Sequence, residues 1–181
     1  MEERFESSNE FYAGGIQMDA WKQAVQRTVN AIVSESLQYP LDERFPQLLT
    51  YILKKKWNDL SPLWFKNDTD YYFRLVLLSG ELLPFLEKEQ GALNGWLQFR
   101  EFPSAWSSQH LTLPIVQTEK QWSVYLFEKN EEVISRVAKG LAATAIYSSC
   151  DSPELLHVCS VENGKRMTFR FTDKQKRMYD L

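Results

Sequence analysis

Apolar residues recur every three or four positions in the first half of the chain and every two positions in much of the second half. Between Asp19 and Tyr39, the residues Trp21, Val25, Thr28/Val29, Ile32 and Leu37 keep helical spacing with Gln, Lys and Arg between them, which predicts an amphipathic helix stopped at Tyr39-Pro40. Phe45, Leu48, Leu49, Ile52, Leu53 and Trp57 predict a second helix. Pro46 stands in its first turn, and Lys54-Lys55-Lys56 in its last, where cations offset the macrodipole. The segment TDYYFRLVLLSG is apolar nearly all round and predicts a buried helix, capped by Asp68 or Thr69 and interrupted at Ser79-Gly80. ELLPFLEKEQG predicts a short helix with Pro84 in its first turns and Gly91 beyond its end.

From Gly95 the period shortens. WLQFREF, LTLPIV and WSVYLFE predict strands, and Pro114 is expected to keep its strand at a sheet edge. NEEVISRVAKGLA predicts a helix over about 130–142, with Asn130 as cap and Glu131 and Glu132 in its first turn. ATAIYSS, LLHVCSV and RMTFRF are expected to finish the chain as a three-stranded antiparallel meander, before a charged tail. The pattern as a whole predicts an α+β fold: a helical N-terminal half (18–90) packed on one face of a mostly antiparallel C-terminal sheet (95–172). A single domain over 18–181 is expected to follow a flexible polar arm, 1–17, that contains Gly14-Gly15.

The strongest local signal is Asn163-Gly164 between two alternating runs, which predicts a hairpin with a two-residue type I′ turn. That register sets Cys159 against Thr168, Val158 against Phe169 and His157 against Arg170. Leu156, Val158, Ser160, Met167, Phe169 and Phe171 then share one face, which is assigned to the core, while His157, Cys159, Val161, Arg166, Thr168 and Arg170 share the other. With DSPE as a loop, Ser148 would stand beside His157.

Composition adds three points. Hydrophobic residues at 44% and charged residues at 25% are globular values, whereas 14% aromatic is more ring than a core requires and points to a partner surface. The net charge of −3 gives no general attraction to nucleic acid or to an anionic membrane. It is unevenly spread: residues 162–181 carry +3, which leaves −6 for the rest; such asymmetry can mark a site for an acidic partner, although a solvated basic tail is its commoner meaning. The N-terminus shows no signal-peptide core, no apolar run approaches the ~18 residues of a membrane span, and the only cysteines are Cys150 and Cys159. A cytoplasmic, membrane-free protein without disulfides is expected.

The candidate chemistry is sparse. A Ser148, His157, Arg170 row lacks a carboxylate to orient the imidazole, and the arginine would lower its basicity. A Cys159-His157 pair lacks an oxyanion site. Cys150, His157 and Cys159 supply only three soft ligands, and His110 lies in another segment, so no metal is expected. There is no Gly-rich phosphate loop, GxSxG elbow, HExxH or EF-hand loop; no cofactor is expected and the balance is against catalysis. The surviving candidate is a cationic face of Arg166 and Arg170 with His157 and Thr168, able to accept a carboxylate or phosphate, although an ordinary wet sheet face has the same composition. The expected function is non-catalytic protein binding of adaptor, chaperone or inhibitor type. The alternatives are binding of nucleic acid or another anion through the basic hairpin and tail, and an enzyme without a familiar motif.

Overall fold

The computed structural model describes residues 20–99, 111–147 and 153–170. The arm 1–17, His110, Ser148, Cys150, Phe171 and the basic tail lie outside the described residues. The fold is α+β: helices in the N-terminal half and a five-stranded, mostly antiparallel sheet with one further helix in the C-terminal half. In chain order the helices are α1 (Ala20–Ser36), α2 (Pro46–Asn58), α3 (Asp68–Glu81), α4 (Leu83–Lys88) and α5 (Glu131–Tyr147). The strands are β1 (Ala92–Phe99), β2 (Leu111–Gln117), β3 (Gln121–Leu126), β4 (Leu155–Ser160) and β5 (Lys165–Arg170), arranged in that order across the sheet. No helix among the described residues is long and apolar enough to cross a membrane.

The sheet is covered on both faces. Helix α5 lays Val133, Ile134, Val137, Ala138, Leu141 and Ala145 against one face, where Leu113, Val124, Leu126, Leu156 and Val158 are buried and Met167 and Phe169 are partly buried. Helices α1–α4 pack on the other face, over Val116, Tyr125, Phe127, Cys159 and Val161, and enclose Trp57 among Phe65 and Tyr71.

Several expectations need correction. ATAIYSS does not form a strand: through Tyr147 it continues α5, because Leu141 and Ala145 extend the buried stripe of Ile134, Val137 and Ala138 and the alanines favour helix. Strand β4 therefore pairs in parallel with β3, across the α5 crossover, and not with a preceding hairpin partner. Pro114 sits in β2, which is an inner strand. It is tolerated because β2 pairs with β3 only at Val116 and Gln117, so no β3 ladder passes Pro114. Helix α3 continues through Gly80 to Glu81, and the break falls at Leu82, ahead of Pro84 in the first turn of α4. It is capped by the Asn67 side chain, and it is not buried all round: Tyr72, Phe73 and Val76 are exposed.

The hairpin closes with a four-residue turn, Val161–Gly164, and its register is Ser160–Lys165, Cys159–Arg166, Val158–Met167, His157–Thr168 and Leu156–Phe169. The shift from the expected register is two residues, so every side chain keeps its face. Tertiary contacts override the tight turn. Val161 is buried under the helices and donates its N–H to Leu126 (2.9 Å), while Glu162 makes ion pairs with Lys22 of α1 (3.7 Å), Arg74 of α3 (3.8 Å) and Lys129 (3.9 Å).

Where β2 and β3 diverge, α1 takes over. The Gln26 side chain accepts from the Phe127 N–H (2.6 Å) and donates to the Tyr125 carbonyl (3.0 Å), and Asn30 donates to the Thr112 carbonyl (2.6 Å). Gln26 also donates to Asn30 (2.9 Å), so two buried amides replace a missing length of ladder.

Candidate functional site

The helices cover only part of their sheet face. At the end occupied by the β2–β3 turn, that face presents Gln121 and Ser123 from β3, His157 from β4, and Arg166, Thr168 and Arg170 from β5, in rows set by the ladder: Ser123–His157–Thr168 and Tyr125–Cys159–Arg166. A cleft of about 690 Å³ opens here between the end of α4 and the sheet, lined by Lys88, Glu89, Gln117, Lys120, Ser123 and Arg166 among others. Such a volume is in the range of ligand pockets, about 300–1,000 Å³.

Glu89 fixes one wall. Its carboxylate accepts from the Tyr125 hydroxyl (2.6 Å) and from the Gly91 N–H (2.9 Å), while Arg44 donates to its carbonyl (2.6 Å) and to that of Tyr39 (2.8 Å). Gly91 is required by close approach: a Cβ there would lie 2.6 Å from Val116 Cγ1 and 3.1 Å from Glu89 Oε1. Burial drives the Tyr125 phenol well above its ordinary pKa, with Cys159 and Glu89 adding to the effect, so the hydroxyl stays protonated and donates.

Arg166 stands on the cleft side of β5, its guanidinium carbon 5.4 Å from the centre of the Phe85 ring of α4, and Phe85 in turn contacts Tyr125. Neither Arg166 nor Arg170 makes an ion pair among the described residues. Arg170 is on the same face, opposite Leu155, but outside the cleft lining.

His157 is buried and fully engaged: Nδ1 lies 3.0 Å from the Thr168 hydroxyl and Nε2 lies 3.3 Å from Gln121 Oε1. A neutral ring with its proton on Nε2 satisfies both contacts. Burial first, and then the charge of Arg166, hold its pKa below the usual histidine value, with Glu89 opposing. Cys159 is a free thiol, 0% exposed, and burial pushes its pKa up to about 11 against the pull of Arg166. A neutral, doubly hydrogen-bonded imidazole beside a protonated, inaccessible thiol makes no nucleophilic pair.

The ladder thus puts the four expected site residues on one face, joins His157 to Thr168, gives Arg166 the cleft, and leaves Arg170 beyond it. The expected His157–Arg170 pairing is not formed, since Thr168 and Ser123 flank His157, and the Ser148–His157 expectation falls outside the described residues. Sequence reasoning missed Ser123, Tyr125, Phe85 and Glu89. A serine on the inward side of WSVYLFE was a usable signal, whereas nothing in the sequence around Glu89 marks it.

The chain matches no protein-family model, no curated protein and no solved structure. Its chemistry is therefore argued from its own geometry.

Proposed function

We propose that this is a cytoplasmic protein-binding protein without catalytic activity of its own, which receives an acidic segment of its partner along the cationic row at the open end of the sheet. The observation that carries this reading is Arg166: a guanidinium positioned by Phe85 at the mouth of a polar cleft, with no carboxylate partner among the described residues. Arg170 extends the row along β5 by four residues, about 13 Å, which suits an extended acidic peptide better than a small ion. The inert state of Cys159 and His157 supports binding over chemistry at this site. Two cysteines in the chain, one of them a buried free thiol, suit a reducing compartment.

The test is capture from source lysate, with and without nuclease, by the wild-type chain and by Arg166→Glu/Arg170→Glu. Both side chains point away from the α5 core, so the double variant should fold. Loss of a defined acidic protein from the variant, insensitive to nuclease, is the expected result. Capture of RNA or DNA that disappears in the variant and falls steeply with salt would favour nucleic-acid binding instead.

A further inference from the structure

The floor of the cleft contains a hydroxyl that no other described residue uses. Ser123 is 4% exposed and lines the cleft, yet its hydroxyl makes no hydrogen bond to any described residue. Its row neighbours are satisfied: His157 is held by Thr168 and Gln121, and the turn before Gln121 is closed by the Thr118 hydroxyl accepting from the Gln121 N–H (3.1 Å). The Ser123 oxygen keeps access to the cleft, so its hydroxyl can donate to a ligand oxygen that enters there. Arg166 lies against the Cys159 thiol and the Phe85 ring and brings a guanidinium without an ion pair among the described residues to the same cleft.

We propose that the cleft is a subsite for a single carboxylate, which accepts the Ser123 O–H on the floor and the Arg166 guanidinium from the wall, with Lys88 at the rim. This rests on the reading above, and it specifies the acidic group that anchors the partner. The charge of the lining selects a monoanion. Both oxygens of Glu89 are already engaged, by Tyr125 and Gly91, so it brings negative charge to the cleft, and Glu119 brings more. Lys120 is answered by Glu154 at 3.5 Å. A phosphate dianion would meet that negative charge twice over, and a carboxylate only once. The carboxylate can belong to a glutamate or aspartate of a polypeptide or to a free small acid.

The experiment is a ¹H–¹⁵N NMR titration of the full chain with acetate, with inorganic phosphate at pH 8, and with an acetylated, amidated Gly-Glu-Gly peptide, all at constant ionic strength. Saturable shifts at the amides of Ser123, Gly91, Thr118 and Arg166 are expected with acetate. Ser123→Ala, which removes no internal hydrogen bond and should melt as wild type, is expected to weaken acetate about five- to tenfold, and Arg166→Gln about tenfold or more. A peptide that binds tighter than acetate assigns the carboxylate to a polypeptide, and equal affinity assigns it to a free acid. Tighter binding of phosphate, the absence of saturable shifts at these amides, or an unchanged affinity in Ser123→Ala overturns the subsite. If acidic-partner capture is lost in Arg166→Glu/Arg170→Glu while Ser123→Ala binds acetate as wild type, the subsite fails and the surface reading stands. If acetate shifts Ser123 and no acidic partner is captured, the surface reading fails and the subsite stands for a free acid.

Discussion

Gln26→Leu removes the amide that stands in for β2 beside β3 and keeps nearly the same volume. In the native chain this side chain serves the Phe127 N–H at 2.6 Å and the Tyr125 carbonyl at 3.0 Å, and it is 2% exposed. The Leu126 carbonyl between them is met from the other side by the Val161 N–H, so β4 offers no substitute for either group. Leucine would leave one buried donor and one buried acceptor unpaired, each costing about 1–3 kcal/mol, and would strip Asn30 of a hydrogen bond. A destabilisation of about 2–5 kcal/mol is expected, read from urea melts at pH 7 with the m-value checked for constancy. Gln26→Leu combined with Asn30→Ala should cost less than the sum of the two, since the amides form one network. Hydrogen exchange at the Phe127 amide should accelerate in step with the lost stability. A change below about 0.5 kcal/mol, with Phe127 still protected, would refute the claim that α1 completes the sheet.

Gly164 has φ +66°, which an L residue adopts only with strain, whereas the Glu81 carboxylate near its Cα can swing aside, so Gly164→Ala should cost about 1–2 kcal/mol in the same melts through the backbone; a neutral result would show the turn to be misplaced. Glu162→Gln should loosen the turn from Lys22, Arg74 and Lys129 at a cost of about 1–2 kcal/mol that shrinks in high salt, and a salt-independent loss would argue against the ion pairs. His157 should titrate below the ordinary value of about 6.5 when followed by NMR. Because the unfolded chain then takes up this proton before the folded one does, its contribution to stability is complete above about pH 7 and is lost as pH falls through about 6.5 towards the folded value. His157→Gln should flatten that window, and stability that instead rises on acidification across it contradicts the assignment.

What could be read from the sequence was whatever rests on local periodicity. The stripes of α1 and α2 are uninterrupted over several turns, so both elements and their proline boundaries were legible. The hairpin's faces were also legible even though its turn was not, because a slip of two residues preserves side-chain parity. Contacts remote in sequence decided the rest. Thr144 and Ile146 imitate strand alternation, and only packing of Leu141 and Ala145 on the sheet makes the segment helical. Gln26 and Asn30 are polar residues on a buried helix face, and the reason for them exists only where β2 and β3 part. Within the candidate site, Arg166 and His157 could be placed together by register alone, but the cleft depends on where α4 ends and on the Glu89–Tyr125 contact 36 residues apart in sequence.

The central claim is that Arg166 and Arg170 form the contact for an acidic polypeptide. The most direct test is the anisotropy of a fluorescent, glutamate-rich peptide titrated with the wild-type chain and with Arg166→Glu/Arg170→Glu at matched salt, after melts have shown both to be folded. The account predicts saturable binding by the wild type, weakened about tenfold or more by the charge reversal. Equal affinity of the two proteins for the peptide would contradict it.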